Sequence, residues 1–595
     1  MHIDPPVAPD SLPTNGYRIV SHGGIGNSEK NYNLSGSMHE LQVSIRGKVT
    51  RIMIDMWAYQ WNGELKRNNE ELIQWIDSVI FTHGHMDHIG SSLEIITREN
   101  LPEVYSTPGT KQVMKIALTD AVKIALADYK TRLQAFQTYV DKTIKPAIKF
   151  VKNHENRGKK VKKVSRDSGG NRLSTTEEDT NKNTLYSYYK EILNDSEVDP
   201  NDKNWYEKLS HPPEPRFDEK DVSTLIKSIK THTTDNGWQE ISPGIKMRFY
   251  NAGHIIGSVS VVFEITYNNK KHNLLFSGDL GSYKWDMHLN GVPTPPNNLK
   301  MEFIMTESTY GGRVRAPFAE DMKLYEDTIE RDVMKYDQII HSCFSLDRLQ
   351  NILFRVIDMK KRGIIPGDIP IYVDSKMWAE YIDPYLRQAA RLDDKVVDPK
   401  QKIIRHSLGK DYEVREAENI RKFLEYLEPI NNEYIIVDKD TRPAMMELLG
   451  KKIILTASGM AEWGPIMEYL KQYGGDEKSA FYFPGFLVPG TRGYQIADEH
   501  QMGWQKKVIE IDDTTIEIRA RMKQIRGFSG HADEEDILTW MSAIKMTKDS
   551  VISIIHGDIH GTSASLKNTL KRKWFNNKII VPDIGEAHVK DFDTI

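Results

Sequence analysis

Between Thr82 and Gly90 the chain reads Thr-His-Gly-His-Met-Asp-His-Ile-Gly, with three histidines and an aspartate packed into the six positions from His83 to His88. The segment follows directly on the apolar run Ser78 to Phe81, which reads as a strand, and leads into a helical pattern at Ser91 to Thr97. So many donors on one loop at a strand end are best accounted for by metal binding. His83 and His85 lie two apart, so on an extended loop they point the same way, toward one ion. Asp87 and His88 sit at the turn and face a second ion.

A metal pair needs ligands from elsewhere in the chain. His254 follows Asn251-Ala252-Gly253, where the glycine permits close backbone approach, and Asp279 lies in Ser277-Gly278-Asp279-Leu280, at the end of an apolar strand. Each alone is a weak signal. Together with the cluster they complete a nitrogen and oxygen set, and Asp279 carries the two oxygens that bridging requires. Cys343 is the only cysteine, which excludes a disulfide within the chain and favours a reducing, cytoplasmic setting.

The 595 residues exceed one ordinary core, so two or more folded units are expected. From Tyr17 to about Thr119 strands (Leu41 to Ile45, Arg51 to Met56) alternate with helices, Glu71 to Trp75 among them. Ala121 to Val151 has helical spacing, and Arg157 to Asn183 is dense in charge, Ser, Thr and Gly with little to bury. The stretch from about 125 to 215 therefore reads as a helical insertion with a solvated tip, folded structure resuming near Asp218. Its run of Lys159, Lys160, Lys162, Lys163 and Arg166 is either a solvated face or a polyanion-guiding arm.

Strands return at Ile245 to Tyr250, Ser258 to Ile265 and Asn273 to Ser277. From Phe318 to Gly503 helix and strand alternate in the grammar of a parallel sheet with flanking helices, a second α/β domain inserted into the first. A formal charge of −4 argues against a protein that coats nucleic acid nonspecifically. No apolar run is long enough to span a bilayer, and Met1 to Asn15 has neither the basic patch nor the apolar core of a secretion signal.

The order His-x-His-x-Asp-His, Gly253-His254, Gly278-Asp279 resembles the metallo-β-lactamase superfamily, whose αββα sandwich holds zinc at a sheet edge. Met53-Ile54-Asp55 is similar to that family's strand-end Leu-Ile-Asp, which implies that Asp55 supports the ligands, although Trp57 stands where a glycine is usual. Thr306-Glu307-Ser308-Thr309-Tyr310-Gly311, the inserted domain, Gly527-Phe528-Ser529-Gly530-His531-Ala532 and Ile555-His556-Gly557-Asp558 resemble motifs A, B and C of β-CASP nucleases. The fold this implies is α/β: a sandwich in two parts, 1–315 and 504–595, with a parallel-sheet β-CASP domain at 316–503. His556 at motif C resembles the RNA-cutting branch, and the wording of the motifs is similar to the nuclease subunit of the cleavage and polyadenylation specificity factor and its prokaryotic relatives.

The resemblance implies a zinc-dependent ribonuclease, endonucleolytic, in RNA processing or decay. It places one Zn²⁺ on His83, His85 and His254, a second on Asp87, His88 and His556, and Asp279 between them, with a hydroxide activated by both ions. His531 is then the general acid, with Glu307 holding its tautomer or raising its pKa. Arg348 matches the arginine of the family's Gly-Arg-x-Gln-Glu helix start and reads as a phosphate ligand or a surface salt bridge. Ser458-Gly459-Met460 and Gly490-Thr491-Arg492-Gly493 offer backbone N–H groups to phosphates, or are tight turns. Single-stranded RNA is the expected partner, with a homodimer allowed and no membrane. A DNA nuclease of the same fold and a non-catalytic RNA-binding scaffold are the alternatives.

Overall fold

The computed structural model describes residues 12–594 except 25–35, 58, 62–63, 67–72, 162–176, 203–204, 286–288, 395–409, 429–432, 486, 488–489, 498–506, 526 and 575. Two seven-stranded sheets are built from the N-terminal half and the C-terminal end. The first runs in the order Ala587–Asp591, Gly16–Ser21, His39–Ile45, Lys48–Ile54, Ser78–Ile80, Glu103–Ser106, Ile229–Thr231. The second runs Lys578–Ile580, Lys545–Ile555, Lys300–Glu307, Lys270–Phe276, Val259–Tyr267, Ile245–Asn251, Gln239–Ser242.

Alternation along the strands decides what each face meets. Phe303 and Met305 join Phe263, Phe276, Leu41, Val43 and Ile52 in the core shared by the two sheets. Their neighbour Ile304 points the other way, into a second core with Val262, Ile552, Trp540 and Leu566. Trp540 and Leu566 come from the helices Glu534–Ser542 and Thr562–Lys573. Each buried aliphatic or aromatic side chain contributes roughly 1.5–3 kcal/mol, so the alternation fixes register strongly.

A third, all-parallel sheet has the order Ile435–Ile436, Ile371–Asp374, Lys452–Thr456, Gln338–Ser342, Ser479–Pro484, Arg521–Ile525. Its strands are near-continuous apolar runs such as Ile453, Ile454 and Leu455, buried on both faces by helices that include Phe318–Lys335 and Arg348–Lys361. Arg521–Ile525 pairs with Ser479–Pro484, so this sheet takes its last strand from beyond residue 503. A short β-rich run carries no local mark of which sheet it joins.

Residues Thr119–Val222 form a compact unit of their own. Its core holds Val140, Ile144, Ile148, Val151, Leu193 and Val198. The expected solvated tip is shorter than its composition implies: a helix resumes at Glu177 and runs to Asp195, with Tyr186, Tyr189, Ile192 and Leu193 packed on this core at helical spacing. Of the basic run, Lys162, Lys163 and Arg166 lie outside the described residues. Of the expected helix at Glu71 to Trp75, residues 71–72 lie outside the described residues, Ile73 is helical, and Gln74 and Trp75 form the turn that follows. Among the described residues no helix is long and apolar enough to cross a membrane.

Candidate metal centre

Strand direction brings distant segments to one edge. Lys270–Phe276, Lys300–Glu307 and Lys545–Ile555 are neighbouring parallel strands, so their C-terminal ends coincide, and those ends carry Asp279, Glu307 and His556. Val259–Tyr267 runs antiparallel to Lys270–Phe276, so its start, with His254 just before it, meets the same edge. Gly253 makes the approach with φ of +70°, and a Cβ there would lie 2.7 Å from Pro293. Thr82 to His88 follow Ser78–Ile80 in the facing sheet, where the Thr82 carbonyl accepts from the Val259 N–H at 2.9 Å.

The ligand atoms converge in two groups that share one carboxylate. His83 Nε2 and His254 Nε2 lie 3.2 and 3.1 Å from His85 Nδ1. Asp279 Oδ2 is 3.5 Å from His83 Nε2, 3.7 Å from His254 Nε2 and 3.4 Å from His88 Nε2. On the other side His556 Nε2 is 3.4 Å from Asp87 Oδ2, and His556 Nδ1 is 3.7 Å from Asp279 Oδ1. Nitrogens bound to one zinc at about 2.0–2.1 Å and tetrahedral angles sit about 3.3 Å apart, which is the spacing of the first group.

Hydrogen bonds behind the rings set which nitrogen faces the centre. His88 Nδ1 donates to Asp55 Oδ2 at 2.7 Å, His254 Nδ1 to the Gly530 carbonyl at 3.2 Å, and His83 Nδ1 to the Thr82 hydroxyl at 3.1 Å. Thr82 passes its own proton to Asp55 Oδ2, and its N–H donates to Asp55 Oδ1, both at 2.7 Å. Each of these three rings therefore turns its Nε2 inward. His88 Nε2 is fully buried with no hydrogen-bond partner, an orphan that a cation satisfies.

Electrostatics divide the groups. Burial holds the His83 and His254 imidazoles well below the usual histidine range, and that of His85 at about 4, so all three are neutral and ready to ligate. Burial also opposes charge on His88 and His556. There the carboxylates prevail: Asp279 and Asp55 draw His88 well up, and Asp279 and Asp87 raise His556 to about 9. Despite burial, the Asp279 carboxyl is held well below its normal range by His556, His88 and His83. The second group thus gathers three carboxylates, Asp55, Asp87 and Asp279, around two histidines.

Beside this centre His531 Nδ1 meets both oxygens of Glu307, at 3.4 and 3.2 Å. Glu307 is fully buried and its Oε1 accepts from the Leu280 N–H at 2.5 Å. Arg315, which sequence reasoning missed, fixes the loop from behind by donating to the carbonyls of Ser529 at 2.9 Å and His531 at 2.7 Å.

Arg348 reaches the same place from the third sheet. Its guanidinium packs on Gly530, where a Cβ would overlap it, and it pairs with the Asp347 carboxylate. Asp347 has φ of +68°, in the position of the family's glycine. It is anchored by Tyr385 Oη at 3.0 Å and Asn290 Nδ2 at 2.8 Å, and Asn290 Nδ2 also reaches the His254 carbonyl at 3.2 Å. Ser458 and Gly459 lie in the loop after Lys452–Thr456, and Arg492 braces that loop, its Nη1 donating to Ala461 O at 2.8 Å and Glu462 O at 3.3 Å.

The Beta-Casp domain matches residues 349–496, and the Zn-dependent metallo-hydrolase RNA specificity domain matches residues 515–582. Residues 349–496 and 515–582 thus match the two domain types of a β-CASP metallo-hydrolase. Among curated β-CASP relatives, transcription termination factor FttA of Thermococcus kodakarensis is 27% identical over 353 residues, covering 58% of this chain and 49% of its own. That of Methanocaldococcus jannaschii is 25% identical over 388 residues, 63% of this chain and 54% of its own. The chain thus spans about half the length of these relatives. Ribonuclease TTHA0252 of Thermus thermophilus is 21% identical over 530 residues, 88% of this chain and 91% of its own. Thr82, Thr309, Gly530 and Arg315 orient the candidate ligands and the His531 loop. Thr309 Oγ1 lies 3.0 Å from His556 Nδ1.

Proposed function

We propose that this protein is a zinc-dependent endoribonuclease that hydrolyses single-stranded RNA in RNA processing or decay. The observation that carries the reading is the convergence of seven donors, His83, His85, Asp87, His88, His254, Asp279 and His556, beside the His531–Glu307 pair. The match to an RNA specificity domain and the likeness to a protein named ribonuclease over nine-tenths of its length support RNA as substrate.

His83, His85 and His254 would hold one Zn²⁺, and Asp87, His88 and His556 a second, with Asp279 shared. When bound, the ions lower the pKa of water toward about 7 and stabilise charge on phosphate oxygens. The chain's own groups do the rest. Glu307 accepts from His531 Nδ1, so a proton on His531 Nε2 is available to the departing ribose oxygen while the buried carboxylate stabilises the imidazolium. Arg348, oriented by Asp347, supplies a guanidinium to a substrate phosphate. Ser458 and Gly459 line the path of the strand, and Arg492 keeps their loop in place.

The test is incubation of zinc-loaded protein with end-labelled RNA and DNA single strands of one sequence, beside the Asp279→Asn variant. Internal cleavage of RNA alone, lost in the variant, supports the reading. Equal cutting of DNA replaces it with a DNA nuclease, and tight RNA binding without turnover replaces it with a scaffold.

A further inference from the structure

We propose that Phe344 and Trp463 form a stacking platform for unpaired RNA bases at the mouth of the metal centre; this rests on the ribonuclease reading above. In open parallel sheets, ligands bind outside the carboxyl ends of the strands. Here the strands Gln338–Ser342 and Lys452–Thr456 are parallel neighbours, and the loops leaving those ends carry Phe344 and Trp463. Aromatic side chains within these strands' layer, such as Phe481 and Tyr482, are fully buried. Phe344 is 39% and Trp463 64% exposed.

Both rings stand on a braced support. The Phe344 ring lies against Gly459, where a Cβ would sit 2.8 Å from its atoms, so the loop backbone itself backs the ring. Ser342 Oγ donates to the Ser458 carbonyl at 2.6 Å, the Gly493 N–H to the Met460 carbonyl at 2.9 Å, and the Ile466 N–H to the Ala457 carbonyl at 2.9 Å. With Arg492 on Ala461 and Glu462, the loop is tied on both sides of Trp463. Rings held in place before the ligand arrives lose little entropy on binding.

The platform is continuous with the site. Phe344 lies four residues before Arg348, and its carbonyl accepts from the Leu349 N–H at 3.1 Å, so ring and guanidinium share one short segment. The guanidinium rests on Gly530, next to His531. A strand with a phosphate at Arg348 therefore brings its neighbouring bases to these rings. Stacking accepts every base, because each has a π face, and rejects duplex, whose bases are already stacked.

The experiment measures affinity in the His531→Ala background, where slowed cleavage leaves time for binding to equilibrate, for a short oligoadenylate and for an abasic ribose-phosphate oligomer of equal length. Phe344→Ala with Trp463→Ala is expected to weaken oligoadenylate binding by about tenfold or more and leave the abasic oligomer unchanged. Phe344→Tyr with Trp463→Phe should restore binding, and oligoadenylate should quench an indole signal that Trp463→Phe removes. If the alanine pair leaves oligoadenylate affinity intact, or weakens both oligomers equally, the platform is wrong while the ribonuclease reading stands. If the parent neither binds nor cuts RNA, both fall.

Discussion

The two halves of the candidate metal centre are both built on buried histidines and behave oppositely. His83, His85 and His254 are kept neutral by burial, whereas His88 and His556 are equally enclosed yet drawn toward the charged form by Asp279, Asp55 and Asp87. The difference lies in which carboxylates face each ring, not in burial. Toward a cation, one half would therefore offer its lone pairs at once, while the other would first give up protons.

Removing the shared carboxylate has the largest expected effect on that contrast. Asp279→Asn should lower RNA cleavage by about four orders of magnitude or more and reduce zinc content in both halves, since hydroxide formation depends on them. His83→Ala should also abolish cleavage, through the first half alone. His531→Ala should keep zinc and cut the rate by about 10²–10⁴-fold. If it cleaves as fast as the parent, another group delivers the proton.

Zinc titrations at several pH values sharpen the comparison further. Because His556 titrates near 9 and burial keeps His85 neutral down to about 4, protons compete only for the Asp87, His88 and His556 half near neutrality. As pH falls from 8.5 to 6, one binding step should weaken by about tenfold per unit or more and the other stay nearly flat. Two equally pH-dependent steps would erase the distinction. A smaller effect is expected of Asn290→Ala, which unlinks the His254 carbonyl from Asp347: about tenfold in kcat with zinc content intact.

His341 serves as a control for burial without carboxylates, its pKa lowered to about 3 by desolvation alone. The folded value lies below the unfolded value of about 6.5, so the unfolded chain binds the proton first and stability falls as pH drops below about 6.5. His341→Gln should flatten that loss by about 1.4 kcal/mol per pH unit down to about pH 3, read from urea midpoints.

Much of this centre is legible in the primary structure because ligation needs particular side chains. The 83–88 cluster, Gly253-His254 and Gly278-Asp279 announce themselves, and strand direction alone carries them to one edge. What orients them is less visible. The Gly530 carbonyl that fixes the His254 tautomer belongs to a backbone group common to all residues, and Arg315 and Asn290 act through carbonyls or loop contacts distant in sequence. The alternation after Phe318 announces a parallel sheet, but Arg521–Ile525 joins it through pairing that no local pattern encodes. In the helical unit, charge density hides Tyr186, Tyr189 and Leu193, whose spacing is what builds the helix.

The most direct measurement is zinc content and RNA cleavage on one preparation, before and after chelation, for the parent and Asp279→Asn. The account predicts about two zinc ions per parent chain, internal cleavage of single-stranded RNA that chelation stops and zinc restores, and loss of both in the variant. A parent that takes up no metal, or RNA cutting that persists unchanged after chelation, contradicts it.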